Sequence, residues 1–524
     1  MLFHFFPYKS IIFCLILVFY YLKLPKRFKE KFKEQSIQYF NYVPIAAFGL
    51  YCIFILIHLF YPGYRGHLQP AVASLGLTLG RGEDLYPFPD VYPYIGMLYG
   101  PALAQTQAIF GHLELPVIMR SKLAAAVAFI IFLLISFFQT KRPVARGYYL
   151  LLLPFWSDIL GNRAEPFLLL LAALAIFIGD RKCASRLFPL WAGILGGIAC
   201  AFKLHAGVYI AAACLAVKHD SKLSFSDVCI FVLSACAAFL AFFLPRQVSL
   251  TAFYHYTVMA GGHGLSWDYW YRCVDYFILC LLPFVLCRKY NFTPVMYGNL
   301  ILIFLLEFLV TVIGAKPGSG AHHLLPFIPV NAYLLNKLYI GRGGKEALAM
   351  GFIIYEKSGV RKLVINGKEA LAIGFIIYLS VAFALCYPFL RYPNQMRRSW
   401  VRQERMCAEV ADFGVKYPGL VMGVTEESNY DFTYLRVLLP SEQINYPGYM
   451  DLQFSGANDD ALLKRMDLCQ IPRLLMPNGG RPFAMPNWYH GGYLFSEAIR
   501  ESFARHYIKT EAGEFFSVYT CDTK

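Results

Sequence analysis

YPGYRGHLQPAVASLGLTLGRGEDLYPFPDVYPYIGMLYGP, residues 61–101, is the longest polar interruption in the first third of an otherwise apolar chain. It holds Glu83, Asp84 and Asp90 between two apolar spans and ends in a run rich in Tyr and Pro. Acidic groups at a membrane surface suggest proton chemistry there. We therefore expect this stretch to be the first outward-facing loop of an integral membrane enzyme.

Composition bounds the class of protein. Of the 524 residues, 58% are hydrophobic and only 15% are charged, and the mean hydropathy is +0.48. Soluble domains average about 25% charged residues, so this composition excludes a soluble globular protein and predicts a polytopic protein of the lipid bilayer. The net charge of +15 lies in short links between apolar spans, where topology and anionic lipid explain it. No nucleic acid partner is expected.

Apolar spans alternate with basic links along the whole chain. Basic links stay in the cytoplasm, so the alternation places residues 26–33 inside and the residues after 390 outside. It predicts roughly eleven to thirteen transmembrane helices, the first of them uncleaved, and several are short for a membrane about 30 Å thick. The predicted spans are residues 11–21, 43–60, 123–138, 148–160, 167–178, 190–201, 208–217, 228–244, 276–286, 295–313, 324–335 and 371–390.

The chain divides into three predicted parts. Residues 1–42 form an N-terminal helix with a basic cytoplasmic link, and residues 43–390 form an all-α polytopic membrane domain. After Pro388 the composition becomes mixed, which predicts a small α/β extracytoplasmic domain at 391–524. Its predicted strands are 419–424, 473–476 and 515–519, and its predicted helices are 399–413 and 459–466.

Cysteines indicate one disulfide and no metal site. Cys407, Cys469 and Cys521 in the C-terminal part are expected to include one disulfide, and their odd number leaves the pairing open. The other cysteines are scattered through apolar spans without the paired spacing of a metal site. No cofactor is therefore expected, with a divalent metal left open.

A local duplication interrupts the order of spans. KEALAMGFIIY at residues 345–355 recurs as KEALAIGFIIY at 368–378. The first copy is predicted to be an amphipathic insertion at the cytoplasmic face, and we assign it no chemistry.

Four segments resemble, in this order, those of the GT-C class of membrane glycosyltransferases. They are GRGEDLYPFPDVYPYIGMLYGP at 80–101, SDILGNRAEPFLLLLAALAI at 157–176, GGIACAFKLHAG at 196–207 and GAKPGSGAHHLLPFIPV at 314–330. The resemblance covers about residues 43–390. It implies a hexosyl- or pentosyltransferase of the bacterial inner membrane that uses a polyprenyl-phosphate sugar donor and a lipid-linked or cell-envelope glycan acceptor on the outer face.

Such a reaction needs a general base for the acceptor hydroxyl and cations at the donor phosphate. Lys203, Lys316 and Arg163 lie on the outer side of the predicted topology, and we expect them to bind the phosphate. Lys203 at an interface is equally explained by snorkelling, and Glu165 by its place at a helix start. The predicted substrate-binding residues are His67, Asp90, Glu165, His322 and His323.

The sequence departs from the pattern of the class at the position of the general base. Members of the class usually carry an acid near the exit of the second span. Here residues 66–69 read GHLQ. The adjacent acids Glu83 and Asp84 are predicted to take that role, and Asp90 and His67 are the alternatives. Because this acid is missing, a diverged, non-catalytic assembly protein remains an alternative function.

Two other functions compete with a transferase. A lipid-linked sugar flippase or transporter would also be polytopic, although such carriers tend to have repeated halves, which this chain lacks. A polysaccharide polymerase or ligase is the nearer alternative, although those enzymes usually place their large outer segment between late spans. The polar residues on one face and the C-terminal outer domain favour a transferase.

Overall fold

The structure of the protein, a computed structural model, describes most of the chain between residues 42 and 522. The described residues are 42, 45–46, 48–66, 68–86, 99–141, 143–182, 187–218, 224–262, 264–286, 294–340, 352–353, 364–365, 394–427, 433–439, 449–450, 453, 458–487 and 491–522. The predicted spans 11–21 and 371–390 lie outside this set, as does the link 26–33. Of the duplicated region, only the antiparallel pair β1 (Phe352–Ile353) and β2 (Val364–Ile365) is described.

Helices form almost all of the described structure before residue 341. In chain order they are α1 Phe48–Phe60, α2 Leu68–Gly80, α3 Pro101–Phe110, α4 Val117–Gln139, α5 Pro143–Gly147, α6 Trp156–Ile159, α7 Glu165–Lys182, α8 Phe188–Phe202, α9 Gly207–Val217, α10 Phe225–Ala241, α11 Leu250–Gly261, α12 Trp267–Leu286, α13 Pro294–Ile313 and α14 Phe327–Ile340. Short 3₁₀ segments lie at Tyr148–Phe155, Leu204–Ala206 and Ala321–Leu324.

Two of these helices, α4 and α13, are long and apolar enough to cross a membrane. Much of the apolar surface of α13 is exposed, and α10 contains no fully buried residue although it is mainly apolar. Helices that face lipid expose apolar surfaces of this kind, which contact no described part of the protein.

Small residues bring the helices close together. Gly193 and Gly197 of α8 face α10, and a Cβ atom at Gly197 would lie 2.2 Å from the Ala235 carbonyl oxygen. Close helix approach through small residues is typical of membrane helices, because it maximises van der Waals contact where no water drives association.

The stretch 61–101, predicted to be a loop, contains the 13-residue helix α2. Pro70 lies in the first helical turn, where the missing N–H is tolerated. A Cβ atom at Gly76 would lie 2.3 Å from Gln107 Cβ, so α2 packs directly against α3. The prediction of a loop is therefore wrong for residues 68–80.

Residues 148–160, predicted to be a transmembrane span, form a 3₁₀ segment followed by the single turn α6. Pro154 lies within the 3₁₀ segment, and proline lacks the N–H of a regular helical ladder. The segment is too short and irregular to be the predicted helix, and it carries Asp158 into the interior.

The C-terminal region forms a small four-stranded sheet covered by helices. The strand order is β3–β4–β6–β5, with β3 parallel to β4 and the other pairs antiparallel. The elements are helix α15 at 394–416, β3 Val421–Met422, a 3₁₀ turn at Thr433–Leu438, α16 Asp460–Asp467, β4 Arg473–Pro477, α17 Glu497–His506, β5 Tyr507–Ala512 and β6 Phe516–Cys521. The three predicted strands are present with shifted bounds, whereas β5, whose sequence YIKTEA is polar and mostly exposed, gave no strand signal.

Cys469 and Cys521 form the disulfide of this region, and Cys407 is a free thiol. The prediction of one disulfide among the three cysteines is confirmed, and the structure supplies the pairing. The bond joins Cys469, two residues after α16, to the last residue of β6.

Helix α15 contacts the link that follows α1. Tyr61 Oη lies 2.9 Å from Ser399 Oγ, and the Cys407 thiol donates to the Pro62 carbonyl oxygen at 3.1 Å. The buried Lys122 ammonium donates to the carbonyl oxygens of His58 and Tyr61 at 3.0 and 2.7 Å, at the C-terminal end of α1. The C-terminal region therefore lies on the same side of the helices as residues 61–66.

Candidate functional site

A buried cluster of opposite charges lies where α7 begins and α8 ends. The Glu165 carboxylate accepts a hydrogen bond from Lys203 Nζ at 2.5 Å, and its second oxygen lies 3.5 Å from Arg163 Nε. Arg163 also pairs with the Asp158 carboxylate. The side chains of Glu165 and Lys203 are only 1% and 7% exposed. Burial of this kind is costly for charges unless they pair, so the four groups act as one unit.

Local structure fixes each member of the cluster. Glu165 is the first residue of α7, just before Pro166, where a carboxylate interacts favourably with the helix dipole. Lys203 follows α8 in an extended conformation, which ends that helix. Buried Asn162 accepts from the Gln107 amide and donates to the Gln69 carbonyl oxygen, so it ties the link before α7 to α2 and α3.

A chain of hydrogen bonds runs through two histidines beside this cluster. His205 Nε2 lies 3.1 Å from Tyr209 Oη and 3.2 Å from His323 Nδ1. His323 Nε2 lies 2.9 Å from Ser319 Oγ, and the Tyr209 hydroxyl donates to the His323 carbonyl oxygen at 2.8 Å. The chain connects the link after α8 with the glycine-rich link after α13.

His322 joins that chain to the charged cluster. Its Nε2 lies 3.7 Å from Glu165 Oε1 and 3.4 Å from an Arg163 amino nitrogen. The His322 and His323 rings are adjacent, with centroids 4.5 Å apart. Three separate links of the chain therefore meet at one buried site.

The two ends of the first polar stretch approach the same site. The Tyr86 hydroxyl donates to the Tyr99 carbonyl oxygen at 2.8 Å. The Tyr99 ring lies against Lys203, with Nζ 5.4 Å from the ring centroid, within the range of a cation–π contact. Residues 85–86 and 99–100 thus flank the cluster.

The site is positively charged on balance and contains unsatisfied polar atoms. Arg163, Lys203 and nearby Lys316 outnumber the carboxylates of Asp158 and Glu165 by one when the histidines are neutral. Arg163 Nε and Glu165 Oε2 are buried and face each other at 3.5 Å, and neither forms a hydrogen bond within the described structure. Such atoms are uncommon in folded proteins and suit a site that receives a polar ligand.

The histidines of the site are neutral. Burial, followed by the charge of Lys203, lowers the pKa of His205 to about 3. Burial likewise holds the pKa of His322, beside Arg163, and of His323, beside Lys203, well below the usual value. Burial also lowers the pKa of Lys316. Within the described residues, no three His, Cys, Asp or Glu side chains are placed to hold a metal ion.

The structure brings most of the predicted site residues together. Arg163, Glu165, Lys203, His322 and His323 converge, and Lys316 lies close enough for its charge to act on His205.

The predicted bases lie apart from this cluster. Glu83 forms an exposed ion pair with Arg81 at 2.6 Å, and Asp84 beside it is exposed. In the described structure no hydrogen bond or ion pair joins either acid to the cluster. His67 and Asp90 lie outside the described residues.

Four further residues of the site were not among the predicted ones: Asp158, His205, Tyr209 and Ser319. No site role was predicted for Asp158, and in the segment KLHAG only Lys203 was predicted to belong to the site. A histidine two residues after a predicted phosphate-binding lysine is the sequence signal that identifies His205.

We expect stability to fall as the pH drops below about 6.5. An unfolded histidine binds a proton near that pH, whereas folded His205 does so only near pH 3. Each such histidine therefore destabilises the fold by up to about 1.4 kcal/mol per pH unit within this window and by nothing above it. Thermal unfolding in detergent between pH 7.5 and 5 measures the slope.

His205→Gln should show a shallower pH slope than the unmodified protein. His112→Gln, at an exposed position, is the matched control and should leave the slope unchanged. Equal slopes in all three proteins would contradict the neutral state of His205.

No protein-family model matches the sequence, and no curated protein matches it. Among solved structures, the chain is similar to ArnT from Cupriavidus metallidurans, a GT-C glycosyltransferase, in a crystal structure with undecaprenyl phosphate bound. The TM-score is 0.53 at 13% sequence identity, and the match covers 92% of this chain and 98% of that one. The likeness concerns the fold. It confirms the predicted GT-C-like architecture, mostly helical with a small C-terminal sheet.

Proposed function

We propose that the protein is an integral membrane glycosyltransferase that moves a sugar from a polyprenyl-phosphate donor to a lipid-linked or cell-envelope glycan on the outer face of the membrane. The observation that carries this proposal is the buried cluster of Arg163, Glu165 and Lys203 in a GT-C-like fold. With nearby Lys316 the site carries one more cation than carboxylates, which suits a lipid phosphate. ArnT, whose fold is similar, has undecaprenyl phosphate bound in its crystal structure. This supports the same class of ligand for the present protein.

Three observations support the proposal of a multi-pass protein whose C-terminal region lies outside the membrane; the bacterial inner membrane is what the resemblance to the GT-C class implies. The apolar faces of α10 and α13 are exposed, as for helices in lipid. The Cys469–Cys521 disulfide suits an oxidising compartment. The contacts of α15 with the link after α1 place this region beside residues 61–66.

In the proposed reaction Lys203 and Arg163 bind the donor phosphate. The bond between the sugar anomeric carbon and the phosphate oxygen breaks, and polyprenyl phosphate leaves with the electron pair. A bond forms between the anomeric carbon and the acceptor oxygen, whose proton passes to a general base. Lys203 and Arg163 stabilise the charge that develops on the leaving phosphate, and Glu165 positions both cations through its two oxygens.

Asp84 is the proposed general base. Of the two adjacent acids, Glu83 is engaged by both Nε and an amino nitrogen of Arg81, at 2.6 and 3.1 Å. Asp84 has no such partner among the described residues. It lies two residues before Tyr86, which contacts Tyr99 at the edge of the cluster. The proposal requires the acceptor hydroxyl to bind between this edge of the cluster and Asp84.

Turnover of defined donors tests the proposed function. Purified protein in detergent, supplied with polyprenyl-phosphate hexoses and pentoses and a lipid-linked glycan extract, should release polyprenyl phosphate from at least one donor. Release should require the acceptor. If no donor is consumed, while protein in vesicles moves an intact donor across the bilayer, the protein is a carrier and the proposal is wrong.

A further inference from the structure

The hydrogen-bond chain beside the cluster has a fixed direction, which begins at Tyr209. The Tyr209 hydroxyl donates to the His323 carbonyl oxygen at 2.8 Å, and a carbonyl oxygen only accepts. The Tyr209 oxygen, 3.1 Å from His205 Nε2, must therefore accept. Nε2 of neutral His205 consequently carries the proton, and Nδ1 does not.

The direction passes from His205 to His323 and on to Ser319. The one Nε2 proton of His205 is shared between the Tyr209 oxygen and His323 Nδ1 at 3.2 Å; a protonated Nε2 has no lone pair to offer, so His323 Nδ1 is also an acceptor. A neutral histidine has one protonated nitrogen, so His323 carries its proton on Nε2. That N–H faces Ser319 Oγ at 2.9 Å, and the serine oxygen accepts. The Ser319 hydroxyl proton must point away from His323.

Ser319 lies on the same tight turn as Lys316. The Ser319 N–H donates to the Lys316 carbonyl oxygen at 3.0 Å, and Gly318 between them has a φ of 78°, which strongly favours glycine. Ser319 is partly exposed, and Lys316 is near enough to act on His205. In the described structure the Ser319 hydroxyl contacts no side chain other than His323. The turn thus presents a hydroxyl donor and an ammonium group together.

We propose that Ser319 donates its hydroxyl hydrogen to a phosphate oxygen of the donor lipid, beside Lys316, and that His205 and His323 hold the hydroxyl in this direction. The inference rests on the proposed function and assigns a further binding residue to the same site. A phosphate monoester of a lipid and free phosphate share the chemistry that this turn recognises, and the experiment separates them. His205 and His323 are positioning residues, because they act through Ser319.

The contribution of the phosphate is measured as a ratio of two affinities of the full-length protein in detergent. This ratio is the affinity for farnesyl phosphate divided by the affinity for farnesol. Ser319→Ala should lower this ratio about tenfold, as expected for one hydrogen bond to a charged acceptor, and leave farnesol affinity unchanged. Ser319→Thr, which keeps the hydroxyl, should retain the ratio. Ser226→Ala, at an exposed serine at the start of α10, is the matched control.

An unchanged ratio in Ser319→Ala, with strong phosphate preference in the unmodified protein, overturns the role of Ser319 and leaves the proposed function standing. An unmodified protein with no preference for farnesyl phosphate overturns the proposed function as well. Competition by inorganic phosphate at concentrations equal to farnesyl phosphate overturns the assignment to a lipid. A lowered ratio restored by threonine supports the inference.

Discussion

Replacing Lys203 by alanine is expected to reduce donor turnover about tenfold to a hundredfold. One hydrogen bond to a charged group contributes about 1.5–3 kcal/mol, and the Lys203 ammonium is buried against Glu165 at the centre of the site. Its removal also leaves a Glu165 oxygen without its closest partner and turns a negative charge towards the lipid phosphate. Steady-state kinetics with a polyprenyl-phosphate sugar measure the loss. Lys316→Ala should lower turnover less, because Lys316 is only half-buried.

The chain supplies a matched control for Lys203. Lys218, at the opposite end of α9, pairs with Asp227 at 2.7 Å and is also largely buried. Lys218→Ala removes an ion pair of the same type from the other end of that helix and should leave turnover within a few-fold of normal. Unchanged kinetics in both Lys203→Ala and Lys316→Ala would contradict a role of these two cations in binding the donor phosphate.

Asp84→Asn is expected to reduce turnover by about 10² to 10⁴, the usual contribution of a general base. The substitution keeps the shape of the side chain and removes its basicity. It should change the rate of transfer more than the affinity for polyprenyl phosphate, because Asp84 acts on the acceptor and not on the phosphate. Comparison of turnover with phosphate affinity in the same preparation separates the two effects.

Glu83→Gln is the matched variant, because it changes the neighbouring acid in the same isosteric way. Glu83 is engaged by Arg81 at the surface, so turnover should stay within a few-fold of normal. If both variants retain full turnover while Glu165→Gln or His67→Ala abolishes it, the base lies elsewhere. Equal large losses in both variants would contradict the assignment of the role to Asp84 alone.

Much of the helical architecture follows from hydropathy alone. The predicted spans 167–178, 190–201, 208–217 and 295–313 all lie within helices, because apolar residues far outnumber turn residues there. Helix α2 was not predicted because the whole stretch 61–101 was interpreted as a polar interruption between apolar spans, whereas the burial of α2 comes from packing on α3. Tertiary packing overrides local propensity at such positions.

The cations of the site were predictable because charged residues at the ends of apolar spans are costly to bury and are therefore often functional. Arg163, Lys203 and Glu165 stand at the ends of predicted spans, and the structure brings them within hydrogen-bond or ion-pair distance. Asp158 pairs with Arg163 five residues on, and Ser319 bonds His323 four residues on, both within irregular links of the chain. A single sequence carries no signal for such contacts.

The central claim is that the cluster around Lys203 binds the phosphate of a polyprenyl lipid. The ³¹P NMR resonance of farnesyl phosphate in detergent, titrated with protein, tests it directly. We expect a shifted or broadened resonance with the unmodified protein and with Lys218→Ala, and a much weaker effect with Lys203→Ala. An identical perturbation by Lys203→Ala, or none by the unmodified protein, would contradict it.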